Sequence, residues 1–235
     1  MNIIQKGHRH THRGIIGVES AIVLIAFVIV AAALAFVVLN MGFTTTQKAK
    51  TTIVSTLAEA GSSLEIEGKV IGSSYQPGAG TPSSLNATSI PIKIAGSGES
   101  VNLDPSLTAI KYLSNTITYD DIYAGTLNGV APYISTSLEA AVGRAEVDFG
   151  YITADPYLDG TWPLETTAFI YWTVQSNTND ILERGEHANV AIVFASGDKP
   201  QELDTIRLEV IPPAGASLTI SRQVPNITTE VVDLG

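Results

Sequence analysis

Residues 21–39, AIVLIAFVIVAAALAFVVL, carry no charge, no proline and no polar side chain. As a helix rising 1.5 Å per residue, the run spans about 28 Å, close to the hydrocarbon thickness of a bilayer. A surface helix of a soluble protein keeps one polar face, and this run has none. It must sit in lipid or be covered on every side by protein. The helical pattern continues past Leu39. The first proline of the chain is Pro77, and in residues 44–60 the side chains Ala49, Ile53, Leu57 and Ala60 share one face. Gly42 and the three threonines after Phe43 weaken the join. The Gly61-Ser62-Ser63 triplet is the expected stop. A helix over 15–60 measures roughly 70 Å, far more than a bilayer needs.

From residue 65 onward the pattern changes to short β-rich runs between Gly, Pro, Ser and Asn punctuation. Expected strands are 65–73, 89–95, 108–113, 116–123, 146–153, 168–175, 189–195, 205–211, 217–223 and 228–232. Short strands at this spacing predict a β-sandwich or barrel. Residues 135–143 read as one or two helical turns, and 75–84 as an exposed loop. The fold class is therefore α+β: a long hydrophobic N-terminal α-helix followed by an antiparallel β-sandwich domain.

Composition narrows the chemistry. There is no cysteine, which excludes disulfides, thiolate metal sites and cysteine nucleophiles. Lys6, Arg9 and Arg13 are the bases before the apolar run, and no acid precedes Glu19. Loss of residues 1–14 would move the net charge from −10 to −13. So acidic a surface argues against nucleic acid and anionic membranes as partners. His8, His10 and His12 carry metal-ligating groups, but in a segment bound for removal they read as polar filler.

A basic segment before an apolar run suggests a secretory signal. Yet no A-x-A-like site follows the run, where Val38-Leu39-Asn40-Met41-Gly42 stands, and the run exceeds an ordinary signal core. The alternative site precedes it, at Arg13-Gly14 before Ile15-Ile16-Gly17-Val18-Glu19, where small Gly14 lets a peptidase approach the backbone. This arrangement resembles the class III signal peptide of type IV pilins and archaeal flagellins (archaellins). The run Gly14-Ile-Ile-Gly-Val-Glu-Ser-Ala-Ile-Val-Leu-Ile-Ala-Phe is similar to archaellins in particular. The resemblance extends to Ile170-Tyr-Trp-Thr-Val-Gln175 with the acidic loop after it, and to the closing hairpin from Ile206 to Arg222 around Pro212, Pro213 and Gly215. Residues 76–165 match nothing in the family pattern, as surface loops that vary would not.

The resemblance implies cleavage between Gly14 and Ile15 by a prepilin-type signal peptidase, with Arg13 and Gly17 in the recognised segment. It implies three parts: a leader 1–14, a helix 15–61 that anchors the precursor and then forms filament core, and an outer immunoglobulin-like domain 62–235. It also implies a helical filament, either a homopolymer or one shared with related archaellins, with an assembly and motor platform as further partners. The membrane is occupied only before assembly. The expected location is the extracellular archaeal flagellum. By the pilin pattern, Glu19 pairs with the new α-amino group, in its own chain or a neighbour. The plainer reading is an interfacial carboxylate near the helix end. Ala26, Ala31, Ala32, Ala33 and Ala35 permit close helix approach between copies.

Chemistry elsewhere is sparse. His187 is the only histidine outside the leader, and beside Glu186 it reads as a surface residue. No hydrolase triad, phosphate-cradling loop or selected carboxylate pair emerges, so no cofactor is required and no enzyme is indicated. Asn177, Asn179, Asp180, Glu183 and Glu186 place oxygen side chains in a Gly-containing loop that suits Ca²⁺, without the full EF-hand pattern. A solvated turn with an Asn cap fits the same residues. Asn86-Ala-Thr88 and Asn226-Ile-Thr228 are N-glycosylation triplets. Asn86, near a loop, is the better acceptor; Asn226 follows Pro225 close to an expected strand. The leading function is a swimming-filament subunit. An adhesive type IV pilin is the runner-up, and a membrane-anchored β-sandwich binding module a distant third.

Overall fold

In the computed structural model, which describes residues 13–61, 64–75, 83–96, 98–129, 134–158 and 160–235, the apolar run lies inside one helix, α1 (Arg13–Gly61). At 1.5 Å per residue its 49 residues span about 74 Å. It passes through Gly42 as α-helix, as the absence of proline allows. The threonines that weaken its propensity are accommodated by back-bonding. Thr44, Thr45 and Thr46 donate through Oγ1 to the carbonyls of Asn40, Met41 and Gly42 at 2.7–2.8 Å. Thr51 and Thr52 do the same to Gln47 and Lys48 at 2.9 Å. Two compact units divide the chain, Met1–Ser55 and Thr56–Gly235, so the division falls within α1.

Beyond the end of α1, the described residues of the second unit form three sheets and one further helix. In chain order the elements are β1 (Leu64–Ile66), β2 (Ile71–Ser73), β3 (Ala87–Ile94), β4 (Val101–Asn102), β5 (Ala109–Leu113), β6 (Thr118–Tyr119), β7 (Tyr123–Thr126), α2 (Leu138–Val147), β8 (Thr167–Val174), β9 (Ile181–Leu182), β10 (His187–Val193), β11 (Thr205–Ile211), β12 (Leu218–Gln223) and β13 (Val231–Asp233). The main sheet runs β13-β2-β3-β10-β8-β7, with β1 also on β3; a second runs β12-β11-β5-β6; β4 pairs with β9. Pairing between these strands is antiparallel except between β7 and β8, which are parallel, so the domain is the mostly antiparallel one expected.

Burial explains the two kinds of strand sequence. On β8, Ala168, Ile170 and Trp172 enter the core between the two sheets, while Phe169 and Tyr171 enter a second core against α2. On β10, Val190 and Ile192 face the first core, and Ala191 and Val193 the second. A sheet covered on both faces reads as a continuous apolar run. β11 is covered on one face only: Ile206, Leu208 and Val210 are buried, whereas Arg207 is exposed and Glu209 half-buried. Its alternation is the period-2 signature. Tyr112 and Phe194 meet across the main core, ring centroids 5.5 Å apart.

Three expectations change. Residues 146–153 form no strand: α2 runs to Val147, and the chain then turns, with the Asp148 and Phe149 amides both donating to the Arg144 carbonyl. Helix wins because Leu138, Ala141, Val142 and Ala145 make one buried face, and Ser137 Oγ caps the start by accepting from Ala140 N at 3.2 Å. The expected strand 65–73 divides into β1 and β2 around Gly68, whose φ is +105°. Likewise 116–123 divides between β6 and β7. Gly125 marks a register shift in β7; its φ is +144°, and a Cβ there would lie 2.7 Å from Tyr151 Oη. Of the expected loop 75–84, residues 76–82 lie outside the described residues, as do leader residues 1–12.

The C-terminal strand β13 closes one edge of the main sheet, and Lys69 and Asp233 pair beside it. The bond to Lys69, helped by the Gly235 amide, holds the Asp233 carboxyl below its usual range; the same bond raises Lys69. The Asp233 contribution is complete above about pH 3.9 and is lost as pH falls through the depressed folded value. The Lys69 contribution is complete below about pH 10.4 and is lost as pH rises through the raised one. Lys69→Met is therefore expected to speed amide exchange at Leu234, whose N–H donates to the Val70 carbonyl at 2.9 Å. The effect should be a few-fold at pH 7 and fade as pH falls through the depressed Asp233 value, as read by hydrogen-exchange NMR.

Candidate assembly helix and surface loops

No residue of Gly17–Leu57 is buried. Nineteen large apolar side chains of α1, from Val18 to Leu57, stand more than half exposed. Covering a Val, Leu, Ile or Phe is worth about 1.5–3 kcal/mol relative to water, so this surface leaves on the order of tens of kcal/mol uncollected. Such a helix is long and apolar enough to cross a membrane. Equally, its back-bonded threonines turn their polar atoms onto their own backbone, so the region beyond Asn40 can also meet an apolar neighbour.

The residues expected at the processing site sit at the start of α1: Arg13, Gly14 and Ile15 have helical backbone. Gly17 is exposed, and a Cβ built there meets nothing within 4 Å, so among the described residues nothing in the chain itself demands a glycine. Glu19 is exposed, with Ser20, Val23, Leu24 and Phe27 around it on the helix surface.

In the loop of residues 176–186, four of the five candidate ligands, Asn177, Asn179, Asp180 and Glu186, accept hydrogen bonds from the chain itself. Asn177 Oδ1 accepts from Asn179 N and Asn179 Oδ1 from Ile181 N, both at 3.0 Å, two successive Asx turns. Asp180 Oδ1 accepts from Thr126 Oγ1 and, at 3.2 Å, from Asn128 Nδ2. Glu186 is 1% exposed; its carboxylate accepts from Ser176 N at 2.7 Å and Glu183 N at 2.9 Å. Among the described residues, no three His, Asp or Glu side chains converge as metal ligands would. His187, expected at the surface, is half-buried, and its Nδ1 pairs with Glu67, which also stands near Lys93.

The two glycosylation triplets exchange places. Asn86 is fully buried: its side-chain amide donates to the Tyr75 carbonyl, and its Oδ1 accepts from Trp162 Nε1 at 3.1 Å. Its backbone N–H donates to the Ser73 carbonyl at 2.7 Å. The expectation that Asn86 is the better acceptor is corrected, because a glycan on that nitrogen has no room in the folded domain. Asn226 is exposed in the segment between β12 and β13. Sequence reasoning also missed Glu186 as a buried cap and the Trp162–Asn86 bond; only the Gly185 turn before Glu186, with φ +90°, hinted at a bend there.

A family model described as archaeal-type flagellin matches residues 14–222. A relative named "Probable flagellin 1", from Aeropyrum pernix, is 36% identical over 214 residues, covering 91% of this chain and 92% of its own length. Among solved structures, the archaeal flagellum of Methanospirillum hungatei has a TM-score of 0.58 and 24% identity, covering 93% of this chain and 99% of that one. The crystal structure of archaeal flagellin FlaB1 from Methanocaldococcus jannaschii has a TM-score of 0.54 and 14% identity, covering 74% and 96%. The two structures share this chain's fold: a long apolar helix followed by a mostly antiparallel β domain.

Glu186→Ala would leave two amides without an acceptor. The expected loss is on the order of 2–4 kcal/mol in denaturant unfolding. Glu186→Gln, which keeps one acceptor oxygen, should lose about half of that.

Proposed function

The chain belongs to the archaeal-type flagellin family, and we infer from this membership that it is a structural subunit of an archaeal swimming filament. The observation that carries the role physically is α1, exposed throughout residues 17–57 and apolar all round over residues 21–39. Two environments satisfy it in succession. In the precursor, lipid covers the helix. After a prepilin-type peptidase removes residues 1–14, copies of the same helix replace lipid. Little free energy is gained from that exchange, because lipid is as apolar as leucine. Assembly therefore depends on close packing at Ala26, Ala31, Ala32, Ala33 and Ala35, on polar pairing, and on an assembly and motor platform. Contacts that repeat head to tail without closing give a helix.

The outer domain supplies the wet, acidic surface of an extracellular filament. Asn226 is the residue we assign to N-linked glycan there, because it is the exposed acceptor of the two. An adhesive pilin would share leader and helix, but a family match running from residue 14 through the β domain to 222 favours the flagellin reading. The same match disfavours a membrane-anchored binding module.

The test is the N-terminal residue and intact mass of the chain in filaments sheared from cells. An Ile15 start, with loss of swimming in a deletion strain, is the expected result. A chain beginning at Met1 and confined to membranes would overturn it. Peptide mapping of the same filaments should find glycan at Asn226 and unmodified Asn86; an occupied Asn86 would contradict its burial.

A further inference from the structure

Between Gly17 and Leu57 the chain carries three charges: Glu19, Lys48 and Lys50. All three are exposed on α1, and the residues between Glu19 and Lys48 are uncharged. Glu19 and Lys48 are 29 positions apart, about 44 Å along the helix. They cannot meet within one α1. At about 100° per residue, Lys48 returns to within about 20° of the Glu19 direction, whereas Lys50 falls on nearly the opposite side. Glu19 and Lys48 therefore end one stripe, with Ala26, Val30, Ala33 and Val37 between them. Thr44, on the same stripe, spends its hydroxyl on the Asn40 carbonyl at 2.7 Å.

Resting on the filament reading, we propose that Glu19 of one copy pairs with Lys48 of a second copy displaced along the filament by about 44 Å. Symmetry turns the same stripe of every helix in the same direction relative to the axis. A stripe turned inward carries its carboxylate and its ammonium out of water, and a buried charge persists only when paired. The two groups are complementary, and an axial offset equal to their spacing superposes them. The pair then fixes the stagger of the helices, which apolar packing alone leaves loose. Lys50, on the other side, takes no part. In the precursor the uncharged interval exceeds a bilayer core, so neither charge has to enter hydrocarbon.

The absence of cysteine gives a direct test in full-length chains expressed in a strain lacking the native gene. In a Glu19→Cys, Lys48→Cys chain, any disulfide must join two copies. Oxidised filaments should give a ladder of multimers on a non-reducing gel, and Glu19→Cys with Lys50→Cys should give none. Glu19→Lys and Lys48→Glu alone should each reduce filament yield at least tenfold, and the double swap should recover it. Filaments that assemble from the first cysteine pair yet run as monomers would overturn the pairing. So would a double swap no better than the single variants; Glu19 would then answer to another group, such as the amine of Ile15. If the parent chain itself forms no filament, the subunit reading fails, and the pair with it.

Discussion

The structure depends on the cost of leaving α1 in water. A soluble helix offsets its apolar face with a polar one, and α1 has no such face between Ala21 and Leu39. That run presents side-chain hydrocarbon in every direction, and beyond it five threonine hydroxyls are turned back onto the helix's own carbonyls. No stable monomer in water follows from such a surface. The helix needs lipid or copies of itself, and a length of about 74 Å exceeds what lipid alone explains.

The β domain answers the opposite requirement, independence. Its main sheet is buried on both faces, by the second sheet and by α2, which gives it two cores. Trp172, Phe194 and Tyr112 fill the first, and Phe169 with Leu127 and Val142 the second. A domain so completely packed holds its shape whatever covers α1. Its polar loops are likewise closed on themselves: Glu186 caps its own turn, and Asn86 ties β3 to the Tyr75 and Trp162 segments.

What could be read from the chain follows from how local the cause is. α1 was legible because nothing interrupts it: no proline precedes Pro77. β8, β10, β11 and β12 lie within one or two residues of expectation because burial stamps each with its own pattern. The misreadings are non-local. Val147, Phe149 and Tyr151 alternate like a strand, but Ala141, Val142 and Ala145 upstream commit the segment to helix and turn. β4 and β9 are two residues long, too short to show a period. Asn86 looked like a loop residue; its burial depends on Trp162, 76 positions away. In the loop of residues 176–186, Asn177, Asn179 and Glu186 accept from backbone amides, as the capped turn read from the same residues would have them do.

The central claim is that copies of α1 cover one another. A helical reconstruction of native filaments by electron cryomicroscopy tests it most directly. The account predicts a continuous central bundle of α-helices, one from each copy beginning at Ile15, with the β domains outside. A filament whose centre is hollow or built from β domains, with α1 absent or facing solvent, would contradict it.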